Sequence, residues 1–433
     1  MSTAVQPANL STSSCPIDHS AFHADAPSLH DRYHGYQPFD VTEPFAAYAH
    51  LRLEEPVMFD DRTGYYVVSR YAEVKAAFGD WETFSSENAQ APVTPRGAEA
   101  TEIMQGGGFT AYSGLSARIP PEHTRLRAIA QAAFTPRRYK VLEPTIRENA
   151  VRFLTSLLER PEKQGDFVRD IAFDIPTITI LSLLGVGAEM VPSYKKWSES
   201  RALMTWGKLS DPEQVPHAHN LVDYWQECQS LVTRAQEQGG DNLVADLVGA
   251  QQAGAEISDH EIASLCYSLL FAGHETTTTL IANSIRVIAA HREAWDEIVA
   301  DPGLIPGAID EVLRYSGSIV AWRRKATTET QIAGVRIPKG SGVLLLMGSA
   351  NRDPEVFERP ESFDIHRGNA RSHLSFGFGI HYCLGNMLAK LQSKIVLEET
   401  VRLVPTLRLQ DQPIQFAENL SFRVPTSVPV GWE

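Results

Sequence analysis

The longest helical signal in the chain runs over 257–290, and it limits the folds open to everything else. At 1.5 Å per residue such a helix is roughly 50 Å long, enough to cross a whole domain. Its start is marked by the capping box Ser258-x-x-Glu261 and by Ile257 with Ile262 as a hydrophobic staple. In its middle stands Ala272-Gly273-His274-Glu275-Thr276-Thr277, continued by Thr278 and Thr279. Glycine and clustered threonines are poor helix formers, so placing them mid-helix carries a local cost. The segment reads either as a polar stripe tolerated on a buried helix or as a gap in the hydrogen-bond ladder that accepts a small guest molecule and a water.

A second stretch is as restrictive. Ser375-Phe376-Gly377-Phe378-Gly379-Ile380-His381-Tyr382-Cys383-Leu384-Gly385 puts one cysteine behind two glycines, at the mouth of an apolar, helix-forming run over 384–401. Backbone N–H groups of a tight glycine turn can point at the sulfur, and the positive end of the following helix lowers the thiol pKa. A lone cysteine also suits a buried structural role after a surface turn. The spacing Phe-x-x-Gly-x-x-x-Cys-x-Gly favours a thiolate ligand, because it fixes one aromatic and two glycines around the sulfur.

With 433 residues, 43% hydrophobic and 21% charged, the chain can bury a large core. No long Gly/Ser/Pro linker and no repeat of about 20–50 residues divides it. Residues 1–40, rich in Ser, Pro, Ala and His, are expected to form a mobile leader, and 41–433 a single domain. The net charge of −14 excludes nonspecific nucleic-acid binding and a polybasic membrane anchor. Four scattered cysteines (Cys15, Cys228, Cys266 and Cys383), with no CxxC, exclude the usual zinc, iron–sulfur and c-type haem spacings and fit a reducing compartment. Residues 1–20 lack an apolar h-region, and the longest apolar stretch, 178–191, is interrupted and too short to span a bilayer. A soluble cytoplasmic protein is expected.

Periodicity and turn residues predict helices over 43–55, 71–78, 121–134, 142–159, 173–184 and 305–315. A helical pair is expected in 191–238, broken near 206–216. Hairpins are expected from 57–59 with 65–68, from 332–337 with 343–347 about Pro338-Lys339-Gly340, and from 415–429 with its tip near Phe422. Residues 88–121 read as one long irregular segment, and such loops are commonly functional or disordered.

At the cysteine stretch the chain resembles the cytochrome P450 family, the haem-thiolate monooxygenases. Phe376, Gly379, Cys383 and Gly385 match that family's haem-binding loop, and Leu388-Ala389 its continuation. The resemblance covers about residue 44 to the C-terminus. It implies a mainly α fold with a small β subdomain, haem b (iron protoporphyrin IX) as cofactor, and Cys383 as the axial iron ligand. The 272–277 segment matches the family's oxygen-activation motif, making Glu275 and Thr276 its acid–alcohol pair toward O2. His123 and Arg127 share one helix face and match a His-x-x-x-Arg that binds the haem propionates; Arg324 and His381 match two further propionate ligands, with His373 a less certain neighbour. Glu311-x-x-Arg314 carries no weight as a bare match, but its position before the meander Asn351-Arg352-Asp353-Pro354…Phe363-Asp364…Arg367 implies a buried structural triad of Glu311, Arg314 and Arg367. By the same resemblance 88–121 roofs the substrate pocket, with Phe109 and Tyr112 either pocket residues or simple loop aromatics. The broken helical pair forms a mobile lid with Met204 and Trp206 as candidate substrate contacts.

The activity so implied is insertion of one oxygen atom of O2 into a small hydrophobic substrate, by C–H hydroxylation or oxidative O- or N-dealkylation. The chain ends about fifty residues after Cys383, so electrons are expected from a separate ferredoxin or flavodoxin and its NAD(P)H reductase, received at a basic patch including Arg137, Arg138 and Lys140. Ser316-Gly317-Ser318…Ala321-Trp322-Arg323-Arg324 and Asn419-x-Ser421-Phe422-Arg423 are similar to a bacterial subgroup that includes enzymes fused to a phthalate-dioxygenase-type reductase. That likeness leaves the chain either stand-alone or the haem portion of a longer protein, and leans the substrate toward small aromatic compounds. Two rivals remain at this stage: a peroxygenase using hydrogen peroxide, against which the Glu275-Thr276 pair argues, and a non-catalytic haem sensor or electron carrier, against which the roof and lid argue.

Overall fold

The computed structural model describes residues 35–112 and 114–433. Up to residue 34 the expected leader lies outside them, while Tyr36 is buried against Tyr48. The expected long helix spans Asp259–Ala290, and its capping box is formed: the Ser258 hydroxyl accepts from the Glu261 amide at 3.2 Å, and the Glu261 carboxylate accepts from the Ser258 amide at 2.8 Å. Residues on nearly all its faces are buried, because other helices enclose it. Asp174–Leu183, Val191–Trp206 and Asp211–Gln238 pack on it, as do Ile305–Ser316 and Asn386–Leu403. Leu280, Ile281, Ile285 and Ile288 are each at most 1% exposed. Burying a side chain of that size stabilises by about 1.5–3 kcal/mol.

The small β part is a five-stranded sheet beside this helical body. Val57–Asp60 and Tyr65–Val68 form the expected hairpin. Gly342–Leu345 then runs parallel to Tyr65–Val68 and antiparallel to Trp322–Ala326. The hairpin expected between 332–337 and 343–347 is therefore a misassignment. Val335–Ile337 instead turns back on Thr330–Ile332 through Ala333 and Gly334, both with positive φ, 48° and 83°. Two consecutive left-handed residues suit a tight two-residue hairpin, which leaves the next strand free to join the main sheet. The segment 88–121 is also not irregular throughout. Ala98–Gly106 is a helix whose Ala100 and Met104 are buried, ending at the glycines 106–108. It packs along the lid helix Asp211–Gln238, and a Cβ at Gly107 would lie 2.4 Å from Val222.

Glu311, Arg314 and Arg367 do meet. Arg314 donates twice to the Glu311 carboxylate at 2.7 Å, and Arg367 Nε reaches both its oxygens at 3.1 Å. Arg314 also donates to the carbonyls of Asn351, Pro360 and Ser362. The network thus fastens the 351–367 meander to the Ile305–Ser316 helix. Glu311 and Arg314 are 0% and 1% exposed, so removing one partner leaves a buried charge unopposed. Glu311→Ala is expected to lower unfolding free energy by about 3–5 kcal/mol in urea titration; a loss below about 1 kcal/mol would show that the network is not structural.

Candidate active site

The cysteine loop is shaped by its glycines. Gly377 and Gly379 have φ of 71° and 75°, and a Cβ on Gly379 would meet the Phe78 carbonyl at 2.8 Å. The Cys383 amide donates to Phe376 O at 3.0 Å, closing the turn. Asn386–Leu403 begins three residues after the sulfur, and the backbone N–H groups of Gly385 and Asn386 point at it. These donors, with Arg127, pull the thiol pKa down as the sequence suggested. Burial outweighs them, and the net direction for the bare thiol is upward. A metal ion at the sulfur would reverse that balance, since a coordinating thiol is deprotonated outright.

Cys383 opens into a cavity of about 260 Å³. Phe376, Gly385, Leu388 and Ala389 line its cysteine end, Ala272, Gly273 and Thr276 line one wall, and Phe422, Trp322, Trp206 and Phe271 line the far end. The last four form an aromatic cage: Trp206 stacks on Phe271 at 5.3 Å between centroids and meets Phe422 edge-on at 4.8 Å. The hairpin-like 415–429 segment brings in Phe422 through bridges at Ile319 and Phe416–Pro425. Phe109 and Tyr112 do not reach the cavity; Phe109 packs on Trp225 and Tyr267, and Tyr112 on His260. Met204 is buried outside the lining.

Arg127, Arg324 and His381 line the cavity with Cys383, and the His123 ring lies tilted against that of His381 with centroids 4.3 Å apart. His373 lies off the cavity, accepting from the Ser375 amide. Both nitrogens of His123 and Nε2 of His381 are buried with no hydrogen-bond partner among the described residues. Among the described residues Arg324 donates only to Arg323 O, and Arg127 only to Tyr382 O. Burial holds Arg324 down to about 10 and His381 down to about 3. Two cations and two imidazoles without a counter-anion, around a space open beside Gly385, fit the carboxylates and flat ring of a haem.

On the Asp259–Ala290 helix the expected gap is not seen: the helix is uninterrupted through 272–279. Hydroxyls instead crowd its carbonyls. Thr276 donates to Ala272 O at 3.0 Å, Thr279 to Glu275 O at 2.9 Å, and Ser318 to Thr276 O at 2.8 Å. The Glu275 carboxylate accepts from Ser198 Oγ at 2.9 Å and lies 3.5 Å from His274 Nδ1. It therefore faces the lid helix Val191–Trp206, behind the cavity wall. Burial raises the Glu275 pKa, partly offset by the Ser198 hydrogen bond. Sequence reasoning missed Ser198, Gln90 and Arg201, and no local signal marks them: their bonds join residues 77 and 111 positions apart.

A family model described as Cytochrome P450 matches residues 303–423. Erythromycin C-12 hydroxylase of Saccharopolyspora erythraea is 34% identical over 81% of this chain and 84% of its own length. The structure of cytochrome P450 CREJ in complex with (4-ethylphenyl) dihydrogen phosphate is similar at a TM-score of 0.91 and 68% identity, covering 92% of this chain and 100% of that one. An intact type IV self-sufficient cytochrome P450 monooxygenase is similar at a TM-score of 0.88 and 34% identity, over 92% of this chain and 52% of that one. No helix among the described residues is long and apolar enough to cross a membrane.

The raised Glu275 pKa carries a sign. Its stabilising contribution is full below the ordinary carboxylate value of about 4.3 and is lost as pH rises through the higher folded value. Glu275→Gln stays neutral, so its stability relative to wild type should increase over that rise, read as urea midpoints across a pH series. A pH-independent difference would mean that Glu275 titrates normally.

Proposed function

Because the chain belongs to the cytochrome P450 family and is a monooxygenase of that haem-thiolate class, we propose that it inserts one oxygen atom of O2 into an alkyl C–H bond of a small aromatic substrate carrying a phosphate ester. The aromatic lining of Trp206, Phe271, Trp322 and Phe422, rings that pack on one another and also border the cavity, carries this reading, since such a wall suits a flat aromatic guest. The aryl phosphate held by the 68%-identical CREJ structure supports the same class of ligand.

In this proposal the cofactor is haem b, and the Cys383 sulfur would bind its iron. His123, Arg127, Arg324 and His381 hold the propionates, and Phe376 and Gly379 shape the loop beneath it. Bound there, haem supplies the iron at which dioxygen is reduced and made reactive toward a C–H bond. The Gly385 and Asn386 amides stabilise negative charge on the sulfur. Burial raises the Glu275 carboxyl pKa and so favours its protonated form behind the wall, while the neighbouring Thr276 hydroxyl lines the cavity, where it would hold a proton for the reaction. The cage orients the substrate and excludes water. Electrons come from a separate ferredoxin or flavodoxin and its NAD(P)H reductase. Arg137 and Lys140 are exposed for such a partner, while Arg138 between them is paired with Asp246 at 2.7 Å. Nearer the sulfur, exposed Phe378, Tyr382 and Met387 offer an apolar contact, with the Lys75 ammonium 5.0 Å from the Phe378 ring.

Cys383→Ser should abolish the red-shifted Soret band of the reduced carbon monoxide complex; a band untouched by the substitution would remove Cys383 from the iron. Thr276→Ala should keep substrate binding but divert NAD(P)H electrons to hydrogen peroxide, measured as peroxide formed per NAD(P)H consumed. Full coupling in that variant would exclude Thr276 from proton delivery.

A further inference from the structure

Arg201, on the Val191–Trp206 helix, is only 2% exposed and has no carboxylate partner among the described residues. It donates to Tyr267 O and, at 2.6 Å, to Gln90 Oε1. Its guanidinium carbon lies 4.2 Å from the Tyr267 ring centroid and 4.9 Å from that of Phe271. Every one of these partners is neutral, so a full charge is kept out of water without a counter-ion. Gln90 in turn donates to Ser116, and both line the cavity. The Ser268 hydroxyl and the Trp206 indole N–H are buried on residues of the same lining, and neither has a partner among the described residues. Not one Asp or Glu is among the lining residues.

Arg201 is not part of the cysteine end. It sits beside Tyr267 and Phe271, about two and a half and one and a half turns before Thr276 on the Asp259–Ala290 helix. A second guanidinium approaches from the roof. Arg96 has the Tyr267 phenol as its electrostatic neighbour, makes no hydrogen bond or ion pair among the described residues, and has its pKa lowered by the protein around it. Neutral donors in front, a buried cation behind and an aromatic cage alongside describe a ligand with an anionic head and a flat apolar body.

Resting on the aryl-phosphate reading above, we propose that Gln90, Ser116 and Ser268, backed by the Arg201 guanidinium, form the subsite that binds the substrate's phosphate, with Trp206 closing the side toward the ring. Gln90 is the switch point: its carbonyl oxygen is tied to Arg201, which leaves its amide N–H groups to face Ser116 and the ligand. Arg201 acts on the phosphate through its field and through Gln90. It is a specificity-determining residue and not a catalytic one.

The test is calorimetric titration of the haem-loaded protein with 4-ethylphenyl phosphate and with 4-ethylphenol. Wild type should bind the phosphate ester at least tenfold more tightly than the phenol. Arg201→Gln should cut that ratio by about 10- to 100-fold, the range for losing a hydrogen bond to a charged group. Gln90→Leu, on the cavity wall, should do the same and serves if the Arg201 variant does not fold. A wild-type ratio near one would overturn the aryl-phosphate reading and the subsite with it. A strong wild-type preference that survives Gln90→Leu, and Arg201→Gln where that variant folds, would overturn the subsite alone.

Discussion

The molecule treats its buried charges in two opposite ways, and its architecture depends on the first. Glu311 has no access to water, yet two guanidiniums and the Asp364 amide converge on it, so its charge is fully answered inside the protein. That closed network holds the meander against the Ile305–Ser316 helix, and the meander leads directly into the cysteine loop. Around the cavity the pattern is inverted. Arg324 and Arg201 are withdrawn from water, Arg127 is half-buried, and all three donate only to neutral partners among the described residues. One kind of burial is self-sufficient. The other leaves the charge without a carboxylate partner among the described residues, which is the arrangement the proposed haem carboxylates and substrate phosphate would complete.

Much of this was legible in the sequence where chemistry is written into short-range spacing. The capping box at Ser258 and Glu261, the left-handed glycines before Cys383, and His123 one turn from Arg127 are all local patterns, and each appears as the spacing predicts. Pairing across the chain was less legible. A strand's own residues do not name its partner, so Gly342–Leu345 was given to the neighbouring strand when its register lies with Tyr65–Val68. The helix Ala98–Gly106 was masked by the glycines and prolines that bound it. Its stability comes from packing on the lid helix, which no local propensity reports.

The orientation of Glu275 could not have been read from its motif either. The sequence places it next to Thr276, but successive helical residues point about a hundred degrees apart. Glu275 consequently meets Ser198 on the lid helix while Thr276 lines the cavity. The acid and the alcohol thus belong to different faces of one helix, so the proposed proton delivery would start on the lid side of the wall.

The roof and the lid are stitched together at several points. Gln214 accepts from the Gly97 amide and donates to Pro95 O, Val93 N donates to Thr205 O, and Thr94 donates to Gly207 O. These bonds join the roof segment just before Ala98–Gly106 to the end of the first lid helix, the break after it and the start of the second. Parting the roof from the lid therefore breaks several hydrogen bonds together and not one alone.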